Sequence, residues 1–190
     1  RTPPHPDPHT THHTSLKTAG PFPHRIRPCT IKGEQSLSIV TLNNLLGVEI
    51  GDLNTGKMLH RVEVKGFTKG PVKRHGCPSH GVGLTPDERQ IWVSDGANSQ
   101  IHVFDATRMP PVQIDSIRVR DQPGWVTFSI KGDFAYPSTG EVIDVKSRKI
   151  VAKLSDEQNR VVQSEKMLEI DLLDGRPVAV GDQVGVGRRF

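Results

Sequence analysis

The feature that most constrains this chain is an internal repeat. Residues 80–94, HGVGLTPDERQIWVS, superimpose on residues 124–138, GWVTFSIKGDFAYPS, at a constant offset of 44 with no gap. Val82 meets Val126, Leu84 meets Phe128, Thr85 meets Ser129, Trp92 meets Tyr136 and Ser94 meets Ser138. A third copy precedes them at residues 23–41, PHRIRPCTIKGEQSLSIVT. In it His24 matches His80, Ile26 matches Val82, and Ile39-Val40-Thr41 match Trp92-Val93-Ser94 after a short insertion. A chain that repeats at this spacing is built from equivalent supersecondary units that stack to bury a shared core.

Each copy continues into another strand: LLGVEIGDLNTGK (45–57), QIHVFDATR (100–108) and EVIDVKSRK (141–149). Ile101 and Val103 alternating about His102 have the period of two of a half-buried strand. Turn residues separate the strands: Asn43-Asn44, Gly96-Ala97-Asn98-Ser99 and Ser138-Thr139-Gly140. Asp52, Asp105 and Asp144 close the strands, where a carboxylate accepts backbone N–H groups of the next turn, so they are expected to be turn caps and not catalytic acids. Further strands are expected at Ile150-Val151-Ala152 and through Leu168, Ile170 and Leu172. No helical period is strong anywhere. Glycine (18) and proline (15) make up about one residue in six, which suits short strands and tight turns. Units of 40–50 residues made of several short strands are the sign of β-propeller blades. The expected fold class is therefore all-β, a partial β-propeller of repeated antiparallel blades at about 21–68, 75–120 and 121–157, with closing strands in 158–190.

Residues 1–20 lie outside that pattern. Proline stands at positions 3, 4, 6 and 8, histidine at 5, 9, 12 and 13, and Leu16 is the one large apolar side chain. Such a segment buries too little to offset its ordering entropy and is expected to be a disordered tail. No apolar run approaches the ~18 residues needed for a membrane-spanning helix. The net charge of +4 permits an acidic partner without requiring one. The basic residues are not interleaved with aromatics, which argues against single-strand nucleic-acid binding. Two cysteines, Cys29 and Cys77, are too few for a disulfide framework, though a single pairing stays open.

Residues 79–107, SHGVGLTPDERQIWVSDGANSQIHVFDAT, resemble the YVTN-type β-propeller repeat. His80-Gly81-Val82, Thr85-Pro86-Asp87, Trp92-Val93-Ser94, Asn98 and Val103-Phe104-Asp105 stand where that repeat has its Pro-His-Gly-Val, Ser/Thr-Pro-Asp-Gly, Tyr-Val, Asn-rich and Val-x-Val-Ile-Asp elements. The glycine usual after Pro-Asp is Glu88 here. The resemblance spans roughly residues 21–157 and implies a ring of about seven blades, on the order of 300 residues at ~40–45 per blade. This chain is then expected to be the C-terminal part of a longer propeller, or to self-associate if complete. Relatives of that kind are often extracytoplasmic, which implies a periplasmic or extracellular location.

In a propeller the first strand of each blade lines the channel. His24 and His80 occupy matching positions at its start, and His75, Cys77 and His80 form His-x-Cys-x-x-His. Imidazole and thiolate suit zinc or copper, so His24, His75, Cys77 and His80 form a candidate metal set. His24, Arg25, His80 and Trp125 form a candidate ligand site for a small molecule or protein at the channel face. The competing expectation for His80 is a hydrogen bond to the neighbouring blade's backbone. No GxSxG elbow and no GxGxxG turn is present, so no catalytic centre and no cofactor can be named. Three readings stay open: a binding module, an enzyme of the lactonase-like or redox-propeller kind with its site at the channel mouth, and a structural cell-envelope propeller.

Overall fold

The computed structural model describes residues 23–30 (backbone only), 36–71, 76–165 and 167–181. Among these there are fourteen strands and no helix. β1 (Pro23–Thr30), β2 (Ser36–Leu42), β3 (Gly47–Asp52) and β4 (Lys57–Glu63) form one antiparallel sheet in chain order. β5 (Val82–Leu84), β6 (Gln90–Asp95), β7 (Gln100–Asp105) and β8 (Val112–Arg118) form a second. β9 (Val126–Phe128), β10 (Phe134–Pro137), β11 (Glu141–Asp144) and β12 (Lys149–Lys153) form a third. β13 (Ile170–Leu173) and β14 (Arg176–Val180) pair as a two-stranded sheet.

The sequence repeat is a hydrogen-bond repeat. Thr85 N donates to Gln90 O at 3.0 Å, and 44 residues on Ser129 N donates to Phe134 O at 2.8 Å. Ser94 N donates to Gly81 O at 2.8 Å, as Ser138 N does to Trp125 O at 2.9 Å. Even the departure at Glu88 is conformationally silent. Glu88 takes the left-handed backbone (φ 58°) that Gly132, its equivalent, takes at φ 81°. The turn geometry is retained, and the non-glycine residue bears a left-handed strain of about 1–2 kcal/mol.

Period-two alternation sends the two faces of the second sheet into two cores. Ile91, Val93 and Phe104 pack with Ile39, Val48 and Ile50 of the first sheet. Trp92, Ile101 and Val103 pack with Val126, Phe128, Ala135 and Ile143 of the third. A sheet covered on both faces reads as a continuous apolar run, and β6 is buried throughout after its first residue. The outer strands face water: β12 is exposed at every position. At the inner edge the sheets nearly touch. A Cβ on Gly81 would lie 2.6 Å from Gly124 O, and one on Gly83 would lie 2.8 Å from the Phe128 ring. Only hydrogen fits in this space, which is why Gly81 and Gly83 stand at and beside the first strand of the second sheet.

The three strand-closing aspartates are turn caps. Asp52 Oδ1 accepts Asn54 N (2.8 Å), Asp105 Oδ1 accepts Thr107 N (2.9 Å) and Asp144 Oδ1 accepts Ser147 N (2.7 Å).

Candidate functional site

In an up-and-down sheet, the loop entering the first strand and the turn between the second and third strands lie at the same end. The Ser94–Gly81 and Ser138–Trp125 hydrogen bonds show this directly. That loop face gathers His80, Trp125 and the turns after β6 and β10.

His80 is a bridge. Its Nδ1 lies 2.9 Å from Gly124 O of the third sheet, and its carbonyl accepts Thr41 Oγ1 of the first sheet at 3.4 Å. Its ring stands 6.1 Å from that of the buried Trp125, tilted by 51°. Arg25 on β1 lies opposite Thr41, and His24 falls at the irregularity in the β1–β2 pairing. The backbone thus brings the start of β1 close to His80, while the side chains of His24 and Arg25 lie outside the described atoms. His75 also lies outside the described residues, and Cys77 is buried. Among the described residues no three His, Cys, Asp or Glu side chains group as a metal ion requires.

Gly124 also borders a polar recess. Its N–H donates to Ser138 Oγ at 2.9 Å, and Ser138 lines a cavity of about 160 Å³ together with Asp121, Gln122, Thr139, Gln163, Ser164 and Glu165. Every lining residue is polar. The wall is held by Ser164 N donating to Ser138 O at 2.9 Å. Gln122 has a left-handed backbone (φ 58°) and donates from Nε2 to Asp121 Oδ2 at 2.9 Å. Its Oε1 is shielded from solvent without a hydrogen-bond partner among the described residues. A withdrawn carbonyl oxygen without a donor is unfavourable and is satisfied when a ligand or water brings one. Nothing in the repeat pointed to this recess, because its residues sit in three separate loops.

A second polar group was also missed in the sequence. His102 Nε2 lies 3.1 Å from Asp95 Oδ2, and His102 Nδ1 lies 2.8 Å from Ser116 Oγ. The Phe67 ring covers the imidazole at 4.8 Å. Asn98 binds both Asp95 oxygens, through its backbone N at 3.0 Å and its Nδ2 at 2.7 Å. Burial pushes the Asp95 carboxyl up, but the His102 and Asn98 hydrogen bonds outweigh it and hold it below its ordinary value. The order Asp–His–Ser is that of an acyl-transfer relay. Here His102 and Asp95 have no exposed surface, so the group ties β6, β7 and β8 together. Register places Glu49 of β3 opposite Val40 and His102 opposite Val93. Glu141, also buried, extends the pattern to β11, where it accepts Arg120 N at 2.7 Å. A buried ionisable side chain thus recurs on the third strand of every four-stranded sheet.

No protein-family model and no curated protein matches the chain. Solved structures do. Hydrazine synthase of Kuenenia stuttgartiensis aligns with a TM-score of 0.59 at 22% identity, over 89% of this chain and 44% of that one. The β-propeller domain of Cps50 (Swd1) from Myceliophteria thermophila aligns at 0.50 and 15% identity, over 68% of this chain and 39% of its own. This chain is a partial β-propeller. The three four-stranded sheets are its blades, and the two-stranded β13–β14 sheet follows them. Dihydro-heme d1 dehydrogenase NirN in complex with DHE aligns at 0.52 and 15% identity, over 81% and 36%. The propeller chain spans less than half the length of each of these structures. At such identities the likeness is one of fold, and fold does not carry activity. Among the described residues no helix is long and apolar enough to cross a membrane.

Proposed function

We propose that the propeller is a binding module whose loop face takes a small, polar, hydroxyl-rich ligand in the recess beside Gly124. The observation that carries this reading is the convergence of seven polar residues, including the partnerless Gln122 Oε1, on one cavity of about 160 Å³. Carboxylates at Asp121 and Glu165 accept ligand hydroxyls, the Gln163 amide donates and accepts, and Gln122 Oε1, which has no donor among the described residues, accepts one from the ligand. His80 belongs to this reading through Gly124, whose carbonyl meets His80 Nδ1 and whose N–H donates to Ser138 Oγ, and Trp125 through its contact with His80.

The test is ligand-dependent melting of the chain with a panel of monosaccharides and polyols. A ligand at about 100 times its Kd adds about 2.7 kcal/mol to the folded state and raises the melting temperature. The expected result is a shift with one sugar class that Gln122→Leu and Asp121→Asn both remove, with the unliganded melting point near wild type. A shift that survives both substitutions places the ligand elsewhere, and no shift across the panel overturns the reading.

A further inference from the structure

One buried carboxylate reaches all three loops that wall the recess. Glu141, 1% exposed, accepts Arg120 N at 2.7 Å through Oε1, next to Asp121 and Gln122. Through Oε2 it accepts the hydroxyl of Thr139, a residue 2% exposed that lines the recess. The Arg120 guanidinium stands with its Nε 3.6 Å from Glu141 Oε1, and its Nη2 donates to Val162 O at 3.1 Å, beside Gln163. The Arg120 charge is therefore answered within the protein.

These bonds also set which hydrogen-bonding roles are left for a ligand. A carboxylate only accepts, so Thr139 gives its one proton to Glu141 and its oxygen is left as an acceptor. Asp121 fixes the Gln122 amide in the same way. Nε2 donates to Asp121 Oδ2, and Oε1 is left as an acceptor with no donor among the described residues. Asp121 and Glu165 add carboxylates to the lining. On the donor side, Ser138 keeps a hydroxyl proton after accepting Gly124 N–H, and Gln163 brings an amide. The lining thus offers more lone pairs than protons. A sugar hydroxyl brings one proton with two lone pairs, whereas an ammonium brings three protons, no lone pair and a positive charge.

We propose that the ligand class of the recess is a protonated primary amine carrying hydroxyls, of the amino-sugar kind, and that Glu141 is the positioning residue that makes the recess select it. This assignment rests on the recess being the binding site.

The experiment titrates the chain by calorimetry with glucosamine, galactosamine and mannosamine, each beside its neutral parent and its N-acetyl derivative, at a pH where the amine is protonated. Expected is binding about tenfold or more tighter for one amino sugar than for its parent, because hydrogen bonds to a charged group are the stronger ones. N-acetylation, which removes the charge and two of the protons, abolishes the preference. Glu141→Gln supplies an amide that donates to Thr139 Oγ1 and releases the hydroxyl proton, so the preference narrows toward parity while the neutral parent binds as before. Thr139→Val removes the hydroxyl at nearly constant volume and narrows it too, so the test does not depend on a variant of the buried carboxylate folding. Thr139→Ser keeps the preference. Equal binding of amino sugar and parent overturns the proposal and leaves the recess a site for neutral sugars. A preference that survives Thr139→Val, or a Glu141→Gln protein that weakens both sugars alike, overturns the positioning role. No binding by any sugar overturns the recess as the site, and this proposal with it.

Discussion

His80 Nδ1 and Gly124 O stand 2.9 Å apart across the boundary between the second and third blades. His80 is also within ring contact of Trp125, so one side chain fixes the spacing at which both loops reach the loop face. His80→Ala removes that link and leaves Gly124 O without this partner. The expected cost is about 1–2 kcal/mol in urea unfolding, together with weakened ligand-induced stabilisation at the recess. A variant of unchanged stability would show that the contact carries no load.

Asp95 and His102 predict a larger effect. Both are fully buried, and removing one leaves the other without its partner. His102→Ala is expected to destabilise by about 3–5 kcal/mol, with Asp95→Asn costing less because Asn98 still donates to the remaining oxygen. Chemical denaturation of both variants checks the order.

The strand-closing aspartates predict acid sensitivity. The backbone N–H of Asn54, with hydrogen bonds from the Thr55 side chain and backbone, holds Asp52 below its ordinary value, and those from Thr107 and Ser147 do the same for Asp105 and Asp144. A carboxyl lowered by folding stabilises fully above its unfolded value, and that contribution is lost as pH falls through the folded value. Melting temperature should therefore hold from neutral pH to about 5 and fall below about 4. Asp144→Asn should make the fall shallower. A fall that begins near pH 6 would point to histidine instead.

Close approach of the inner strands predicts intolerance at one glycine. Gly81→Ala places a methyl 2.6 Å from both Gly124 O and Trp125 Cα, which are backbone atoms of the next blade. The blades must separate, at about 1–3 kcal/mol. Gly96→Ala is the control, since its Cβ would meet nothing closer than 3.6 Å.

Trp92 and Phe128, stacked edge to face at 5.5 Å, join the second blade to the third. Trp92→Ala is expected to cost about 3–5 kcal/mol. Its Nε1 donates to Gln90 Oε1 at 3.0 Å, so the wide aromatic is buried without an unsatisfied donor.

The blade organisation was legible in the sequence because it is local and periodic. Alternation in Ile101–Val103, turn residues at Asn98 and Gly140, and the closing aspartates act within a few residues, and a repeat of 44 prints each twice or more. Glu88 shows the same logic, since its φ of 58° is dictated by the turn and only the residue differs. The recess and the Asp95–His102–Ser116 group obey no local rule. The recess residues come from three separate loops and share no spacing, so only the tertiary fold brings Asp121, Ser138 and Glu165 to one cavity, while Asp95, His102 and Ser116 meet through the pairing of three consecutive strands. That His102 must find Asp95 and Ser116 on the strands either side of β7 follows from its complete burial, because burial forces a partner on a polar group that solvent would otherwise satisfy.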